Sequence, residues 1–116
     1  MKKIKKLKGK KIISNLFENG LSYEYNSLTL FYLKEKQPLN FVYFSVSVPK
    51  KVHKNAVARN KIKRLIRESV YAYDFSSFLL SNSVYFMLIY SNTNFLSYNE
   101  TKNLSHTLFS KCFHSK

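Results

Sequence analysis

The sequence is poor in several residue types that particular functions require. Its 116 residues include one cysteine, two glycines and six acidic residues. A single cysteine, Cys112, excludes an intrachain disulfide and a cysteine metal cluster, and this favours a reducing cytosol. We interpret Cys112 as a small buried apolar residue. Because the chain holds only Gly9 and Gly20, it has no glycine-rich loop to cradle a nucleoside triphosphate.

Catalytic groups are also sparse. Hydrolysis by side chains alone needs a poised pair, such as two carboxylates or a nucleophile beside an oriented histidine, and no such pair is visible. The acids are scattered singly, as Glu18, Glu24, Glu35, Glu68, Asp74 and Glu100. This spacing argues against two-metal nuclease chemistry. The histidines, His53, His106 and His114, could in principle act as acid and base, so a protein-only nuclease is the least favoured alternative.

Long apolar segments are missing as well. The amino-terminal MKKIKKLKGKK carries seven lysines in eleven residues, but the apolar stretch that a secretory signal needs does not follow it. No apolar run approaches the roughly 18 residues needed to cross a bilayer. A membrane role would therefore be peripheral and electrostatic, and we expect a cytoplasmic protein.

Positive charge dominates what the sequence does contain. Twenty basic and six acidic side chains give a net charge of +14. Such an excess destabilises a compact fold unless a polyanion offsets it, so a nucleic acid is the expected partner. The length fits a single RNA-binding domain over residues 1–116. Within it we expect residues 1–11 to form a basic arm that becomes ordered on RNA.

The charge is densest in SVPKKVHKNAVARNKIKRLIRE, residues 47–68, where eight of 22 residues are Lys or Arg and Glu68 is the one acid. Helical spacing over about residues 55–73 separates two sides. The polar side carries Arg59, Asn60, Lys63, Arg64 and Arg67. The other side carries Ala58, Ile62, Leu65, Ile66, Ser69, Val70 and Tyr73. One side can pack on a core while the other binds phosphate.

The remaining patterns predict a mixed α+β sandwich. A helix over residues 11–19 ends at Asn19-Gly20, and a capping box of Ser97 and Glu100 begins a last helix over 98–114. Aromatic and β-branched residues predict strands over 21–33 and 41–48, which we expect to pair as a hairpin, and SVYFMLIY predicts a central strand over 83–90. The order is helix, two or three strands, helix, strand, helix.

Aromatic rings are the second abundant feature, with nineteen Phe and Tyr residues. The strands alternate rings between faces, with Tyr43 opposite Phe44 and Phe31 opposite Tyr32. Unstacked RNA bases lie on such rings while Lys and Arg follow the phosphates. Cations and rings together therefore indicate RNA binding, although a core role remains the alternative for each ring.

The basic segment closely resembles the signature of the protein component of bacterial ribonuclease P, a helix with Arg-Asn-Arg followed by Ile-Lys-Arg-Leu and a further Arg. The flanks agree: a Leu16-Phe17 helix ending at Gly20, an aromatic strand, the Ser-Val-Pro-Lys lead-in and a terminal helix occur in the family's order. One residue departs, because Lys61 stands where the family has the second Arg. Lysine keeps the charge but lacks the bidentate fork of arginine.

The resemblance implies a fold and a function. The fold would be an α/β sandwich of the ribosomal-protein S5 domain 2-like type, with the basic helix in a left-handed crossover between parallel strands, whereas general chirality favours a right-handed one. The protein would be a subunit of a ribonucleoprotein endonuclease that removes the 5′ leader of precursor tRNA. Mg²⁺ bound by the RNA subunit would carry the catalysis, and the protein would bind no cofactor of its own.

The resemblance also implies two sets of site residues. Those that would contact the RNA subunit are Arg59, Asn60, Lys61, Lys63, Arg64 and Arg67, extended by Lys50, Lys51 and Lys54. Those that would line a cleft for the leader, between the first helix and the sheet, are Phe17, Phe31, Ile13 and Tyr43. The alternative is a structural RNA-binding protein, such as a ribosomal or assembly factor, which shares the charge and the size.

Overall fold

The structure, a computed structural model, describes residues 4–7, 9–35, 42–75 and 83–113. They form β1 (Ile4–Lys6), α1 (Lys10–Asn19), β2 (Leu21–Tyr25), β3 (Leu28–Glu35), β4 (Val42–Ser47), α2 (Ala56–Ala72), β5 (Ser83–Tyr90) and α3 (Tyr98–Phe113). The predicted mixed α+β class is confirmed. The predicted helix ends agree within a residue or two, and His114, the last residue expected in α3, lies outside the described residues.

The strands form one five-stranded sheet in the order β1-β4-β5-β3-β2. β5 lies at the centre, as its run of apolar residues predicts, and pairs parallel with β4 and antiparallel with β3. The expected hairpin between residues 21–33 and 41–48 is therefore wrong, because β5 lies between those strands. The hairpin instead joins β2 to β3 through Asn26 and Ser27, whose positive φ angles of 47° and 64° suit a tight turn between twisted strands.

Helices cover both faces of the sheet. α2 and α3 pack on one face, where Leu30, Phe44 and Phe86 are almost fully buried with Ile66 and Phe109. Between these two helices, the buried Ser69 hydroxyl donates to Ile66 O at 2.6 Å and lies 3.1 Å from Ser105 Oγ, so its polar atom is satisfied. α1 packs on the other face through Leu16, which is fully buried.

The basic helix connects two adjacent parallel strands, since α2 follows β4 and precedes β5. This is the strand–helix–strand crossover that the resemblance implies. Its left hand stays a prediction.

The amino-terminal segment contains an element that the sequence did not predict. We assigned residues 1–11 to a basic arm, but Ile4–Lys6 form β1, which pairs parallel with β4 in the register Ile4 to Val42. Leu7 N also donates to Phe44 O at 2.7 Å. Five of the first eight residues are lysines. The segment therefore lacks the apolar and polar alternation from which this three-residue strand could have been predicted.

Gly20 ends α1 at the expected place but by a different means. Its φ of −77° is accessible to any residue, so no left-handed turn is involved. A Cβ at this position would lie 2.3 Å from Leu16 O and 2.9 Å from Tyr32 O. Because α1 approaches β3 closely here, this position must be occupied by a residue without a side chain.

The capping box of α3 is confirmed. Glu100 N–H donates to Ser97 Oγ at 3.2 Å, and Ser97 N–H donates to Glu100 Oε1 at 3.1 Å. These reciprocal bonds satisfy two of the free N–H groups at the helix start.

Candidate nucleic-acid interface

The basic helix α2 is anchored at its start and along one side. The Asn55 side chain caps it by accepting from Val57 N–H at 2.8 Å and Ala58 N–H at 3.4 Å. As the spacing predicted, four residues on one side are buried: Ile62, Ile66, Ser69 and Val70. Ala58 and Leu65, expected on the same side, are half-buried because they lie at its border.

The opposite side of α2 presents the predicted polar residues in two rows. Asn60, Lys61 and Arg64 are exposed and line a shallow depression of about 440 Å³ together with Val57, Leu65 and Glu68. Arg59, Lys63 and Arg67 are half-buried and form the second row, which follows from their spacing of four residues. The helix thus offers a broad cationic surface, called here the basic face.

Arg64 is a highly exposed member of this face. Its side chain is 80% exposed, and its Nε lies 3.5 Å from Glu68 Oε1. A single exposed ion pair of that length contributes little to stability. The guanidinium can therefore exchange Glu68 for a phosphate at small cost.

Arg59 has an internal role that the sequence did not reveal. Its Nη1 donates to two main-chain carbonyls, His53 O at 3.0 Å and Lys54 O at 2.8 Å. These bonds tie the first turn of α2 to the segment before it and leave Nε and Nη2 for another acceptor. Main-chain partners five and six residues earlier, outside the helix, cannot be deduced from helical periodicity.

The segment before α2, residues 48–55, is called here the basic loop. Val52 N and His53 N both donate to Pro49 O, at 3.1 and 3.2 Å, so the loop is a compact turn. Lys50, Lys51 and Lys54 are exposed on it. The predicted extension of the cationic surface is therefore contiguous with the start of α2.

The four residues predicted for the leader cleft lie between α1 and the sheet face that it covers, with Ile13 and Phe17 on α1 and Phe31 and Tyr43 on the sheet. The rings of Phe17 and Phe31 meet edge to face at 4.9 Å, and Phe17 remains 44% exposed. Ile13, Phe31 and Tyr43 are partly buried around Leu16. The structure brings all four to one surface, called here the α1-side cleft.

The strand register adds residues that sequence reasoning missed. Tyr43 is paired with Tyr85 on β5, and their rings stack at 5.6 Å with an interplanar angle of 12°. On its other side Tyr43 is paired with the exposed Lys5 of β1. The resulting row has a cation at its edge and two stacked rings beside it. Tyr85 could be found from the sequence only with the parallel register, and Lys5 only with β1.

The histidines occupy separate places. His53 Nε2 lies 2.8 Å from Asn92 O, and His106 Nε2 lies 2.9 Å from Ser69 O. The Nε2 atoms of these two histidines thus donate to different main-chain carbonyls. His114 lies outside the described residues. Within the described parts of the chain, no three His, Cys, Asp or Glu side chains are placed to hold a metal ion.

Two further findings concern a buried cysteine and the character of the helices. Burial raises the pKa of the Cys112 thiol, which is 4% exposed on α3. Among the helices of the described residues, none has the length and apolar character to span a bilayer.

Comparison with known proteins identifies relatives. A family model described as Ribonuclease P matches residues 1–112. The ribonuclease P protein component of Lactobacillus delbrueckii subsp. bulgaricus is 37% identical over 67 residues, which are 58% of this chain and 54% of that protein. The component from Clostridium botulinum is 41% identical over 64 residues, 55% of each chain. The matched segment spans about half the length of these curated relatives.

Solved structures share the fold over most of the chain. The RNase P protein of Staphylococcus aureus superposes with a TM-score of 0.71 and 22% identity, covering 95% of this chain and 97% of that one. The RNase P protein of Thermotoga maritima gives a TM-score of 0.65 and 15% identity, covering 91% and 96%. At these identities the likeness concerns the fold alone.

Proposed function

This chain belongs to the Ribonuclease P family, whose model matches residues 1–112, and from that membership we propose that it is the protein subunit of a ribonucleoprotein endoribonuclease. Its partners would be the ribonuclease P RNA and precursor tRNA. The complex would hydrolyse the phosphodiester that joins the 5′ leader to the mature tRNA, in the cytoplasm. The RNA subunit would carry the catalysis and the protein would supply binding and position.

The basic face of α2 is the observation that supports this proposal most. Its buried side is fixed in the core by Ile62 and Ile66, so the cations opposite them stand on a rigid element. A rigid row of cations matches the regular spacing of phosphates in folded RNA better than a mobile tail does, because less side-chain and backbone freedom is lost on binding. Here Arg64 and Lys61 would contact the phosphates of the RNA subunit, extended by the basic loop.

The α1-side cleft would hold the single-stranded leader. Phe17 on α1 and the stacked pair of Tyr43 and Tyr85 on the sheet offer ring faces and edges to unstacked bases, while Lys5 is placed for the backbone. Stacking is tolerant of sequence, since every base has a π-face. This suits a subunit that must accept leaders of differing sequence.

Magnesium would enter through the RNA. Mg²⁺ prefers phosphate oxygens and water, and folding a catalytic RNA brings phosphates together at high electrostatic cost. Twenty basic side chains on the protein would offset part of that cost and so lower the Mg²⁺ concentration at which the complex works.

Copurification tests the assignment and separates it from a ribosomal or assembly factor. The tagged full chain is expressed in its own cell, captured at low salt, and its bound RNA is sequenced. Ribonuclease P RNA with leader-bearing tRNA precursors is the expected cargo. Enrichment of ribosomal RNA in their place would overturn the proposal. A variant with Lys61, Arg64 and Arg67 replaced by Glu controls for capture that does not depend on the basic face.

A further inference from the structure

Phe95 is an exposed aromatic residue that lies outside both surfaces. Phe95 is 56% exposed and belongs to residues 91–97, the loop between β5 and α3, called here the β5–α3 loop. Because β4 and β5 are parallel, their carboxyl ends lie at the same edge of the sheet. The basic loop follows β4 and the β5–α3 loop follows β5, so both leave the sheet at this edge.

His53 joins the two loops and supports the Phe95 ring. Its Nε2 donates to Asn92 O at 2.8 Å, and its ring meets Phe95 edge to face at 5.1 Å. The His53 ring also lies 6.0 Å from the ring of Tyr90, which is 2% exposed. Phe95 therefore rests on a buried histidine, which itself rests on a core tyrosine.

Hydrogen bonds brace the loop on both sides of this contact. The Tyr90 hydroxyl donates to Asn94 O at 2.6 Å, and Asn94 N donates to Asn92 Oδ1 at 2.8 Å. Across the contact, Arg59 fixes the carbonyls of His53 and Lys54. A ring held in this way loses little conformational freedom when a ligand covers it, which favours binding.

The surroundings of Phe95 select the class of ligand. Lys50, Lys51 and Lys54 flank His53 in the basic loop, and neither loop contains an acidic residue. Ring faces beside cations are the combination that binds an unstacked base and its neighbouring phosphates. An anionic membrane fits less well, because Phe95 is the one large apolar side chain exposed on these loops and interfacial binding needs a wider apolar face.

We propose that Phe95 is a stacking platform for an unpaired base of the RNA subunit, next to phosphates bound by Lys50, Lys51 and Lys54. This inference rests on the proposed function, since it needs the RNA subunit as partner. The Phe95 ring adds an aromatic contact to an RNA-binding surface that otherwise consists of cationic side chains. His53 acts through Phe95 as a positioning residue.

Affinity and its salt dependence give the first test. Phe95→Ala and Phe95→Leu are expected to weaken binding of the full chain to the RNA subunit by about 5- to 140-fold, the equivalent of ~1–3 kcal/mol for a stacked base. The slope of log affinity against log salt stays unchanged, since no phosphate contact is lost. Phe95→Tyr keeps the ring and retains affinity. Leu21→Ala is the matched control, because Leu21 is 63% exposed on the distant edge strand β2.

A fluorescence test reports the stacking directly. The chain contains no tryptophan, so Phe95→Trp introduces a unique fluorophore, and Leu21→Trp serves as its control. Adding the RNA subunit should quench the indole of Phe95→Trp and shield it from acrylamide, with no such change in Leu21→Trp. Vesicles with anionic phosphatidylglycerol should leave both unaltered.

The possible results distinguish failure of the Phe95 stacking platform from failure of the proposed function. If the unmodified chain does not bind the RNA subunit, the proposed function fails. If it binds but Phe95→Ala and Phe95→Leu retain full affinity, or the indole is not quenched, only the stacking platform is refuted. A blue shift on vesicles without quenching by RNA would likewise overturn it in favour of a membrane contact. Thermal melting of each variant verifies that it is folded.

Discussion

Arg59 and Arg64 carry equal charge on the same helix, and their substitution should separate RNA binding from stability. Arg64→Ala removes only a 3.5 Å ion pair between exposed groups, so the free energy of unfolding should change by less than about 0.5 kcal/mol. Arg59→Ala removes two hydrogen bonds from a charged donor to main-chain carbonyls. Discounted for partial exposure, their loss should lower the free energy of unfolding by about 1–2 kcal/mol. Urea denaturation measures both values.

RNA binding should show a different ranking. Each lost phosphate contact removes about 0.7–0.9 from the slope of log affinity against log salt. When salt rises from 50 to 200 mM, the factor by which affinity falls should therefore be about 3-fold smaller for Arg64→Ala than for the unmodified chain. Lys111→Ala is the control, because it removes the same charge from α3, where Lys111 Nζ donates to Tyr23 OH at 3.1 Å on β2. An unaltered slope for Arg64→Ala, or an equal change for Lys111→Ala, would refute the role of the basic face.

Three further expectations follow from other parts of the fold. Tyr85→Ala should weaken binding of leader-bearing precursor tRNA by about 5-fold or more, from one lost stacking contact, and leave affinity for mature tRNA unchanged in filter binding; equal loss for both would contradict the cleft. Gly20→Ala should lower the free energy of unfolding in urea by about 1–3 kcal/mol, because the added Cβ would lie 2.3 Å from Leu16 O; unchanged stability would disprove the steric requirement. The Cys112 thiol should react slowly with a disulfide reagent at neutral pH, since burial raises its pKa and keeps it protonated; rapid labelling of the native chain, equal to that in urea, would contradict its burial.

Local patterns in the sequence were sufficient for the helices and for the central strand. The Ser97–Glu100 capping box and the apolar spacing of Ile62 and Ile66 act within one element, so each can be recognised without knowing its neighbours. The same holds for the basic face of α2. Its cations are defined by the angular spacing of a single helix, and the structure places them as predicted.

Features that depend on pairing between distant segments were not predictable. The expected hairpin failed because two aromatic strands adjacent in sequence can be separated by a third that buries more apolar surface on both faces. Tyr85 and Lys5 joined the α1-side cleft through the registers of β5 and β1 with β4, which no periodicity encodes. The internal hydrogen bonds of His53 and Arg59 were not predicted for the same reason, since their partners are main-chain carbonyls that only the fold brings into reach.

The proposed function requires above all that this polypeptide assist cleavage carried out by an RNA. Single-turnover cleavage of a leader-bearing precursor is measured at low Mg²⁺ with the RNA subunit alone, the protein alone, and both together. We expect the pair to cleave much faster than the RNA alone, and the protein alone to leave the precursor intact. Cleavage by the protein freed of RNA, or no gain when it joins the RNA subunit, would contradict the account.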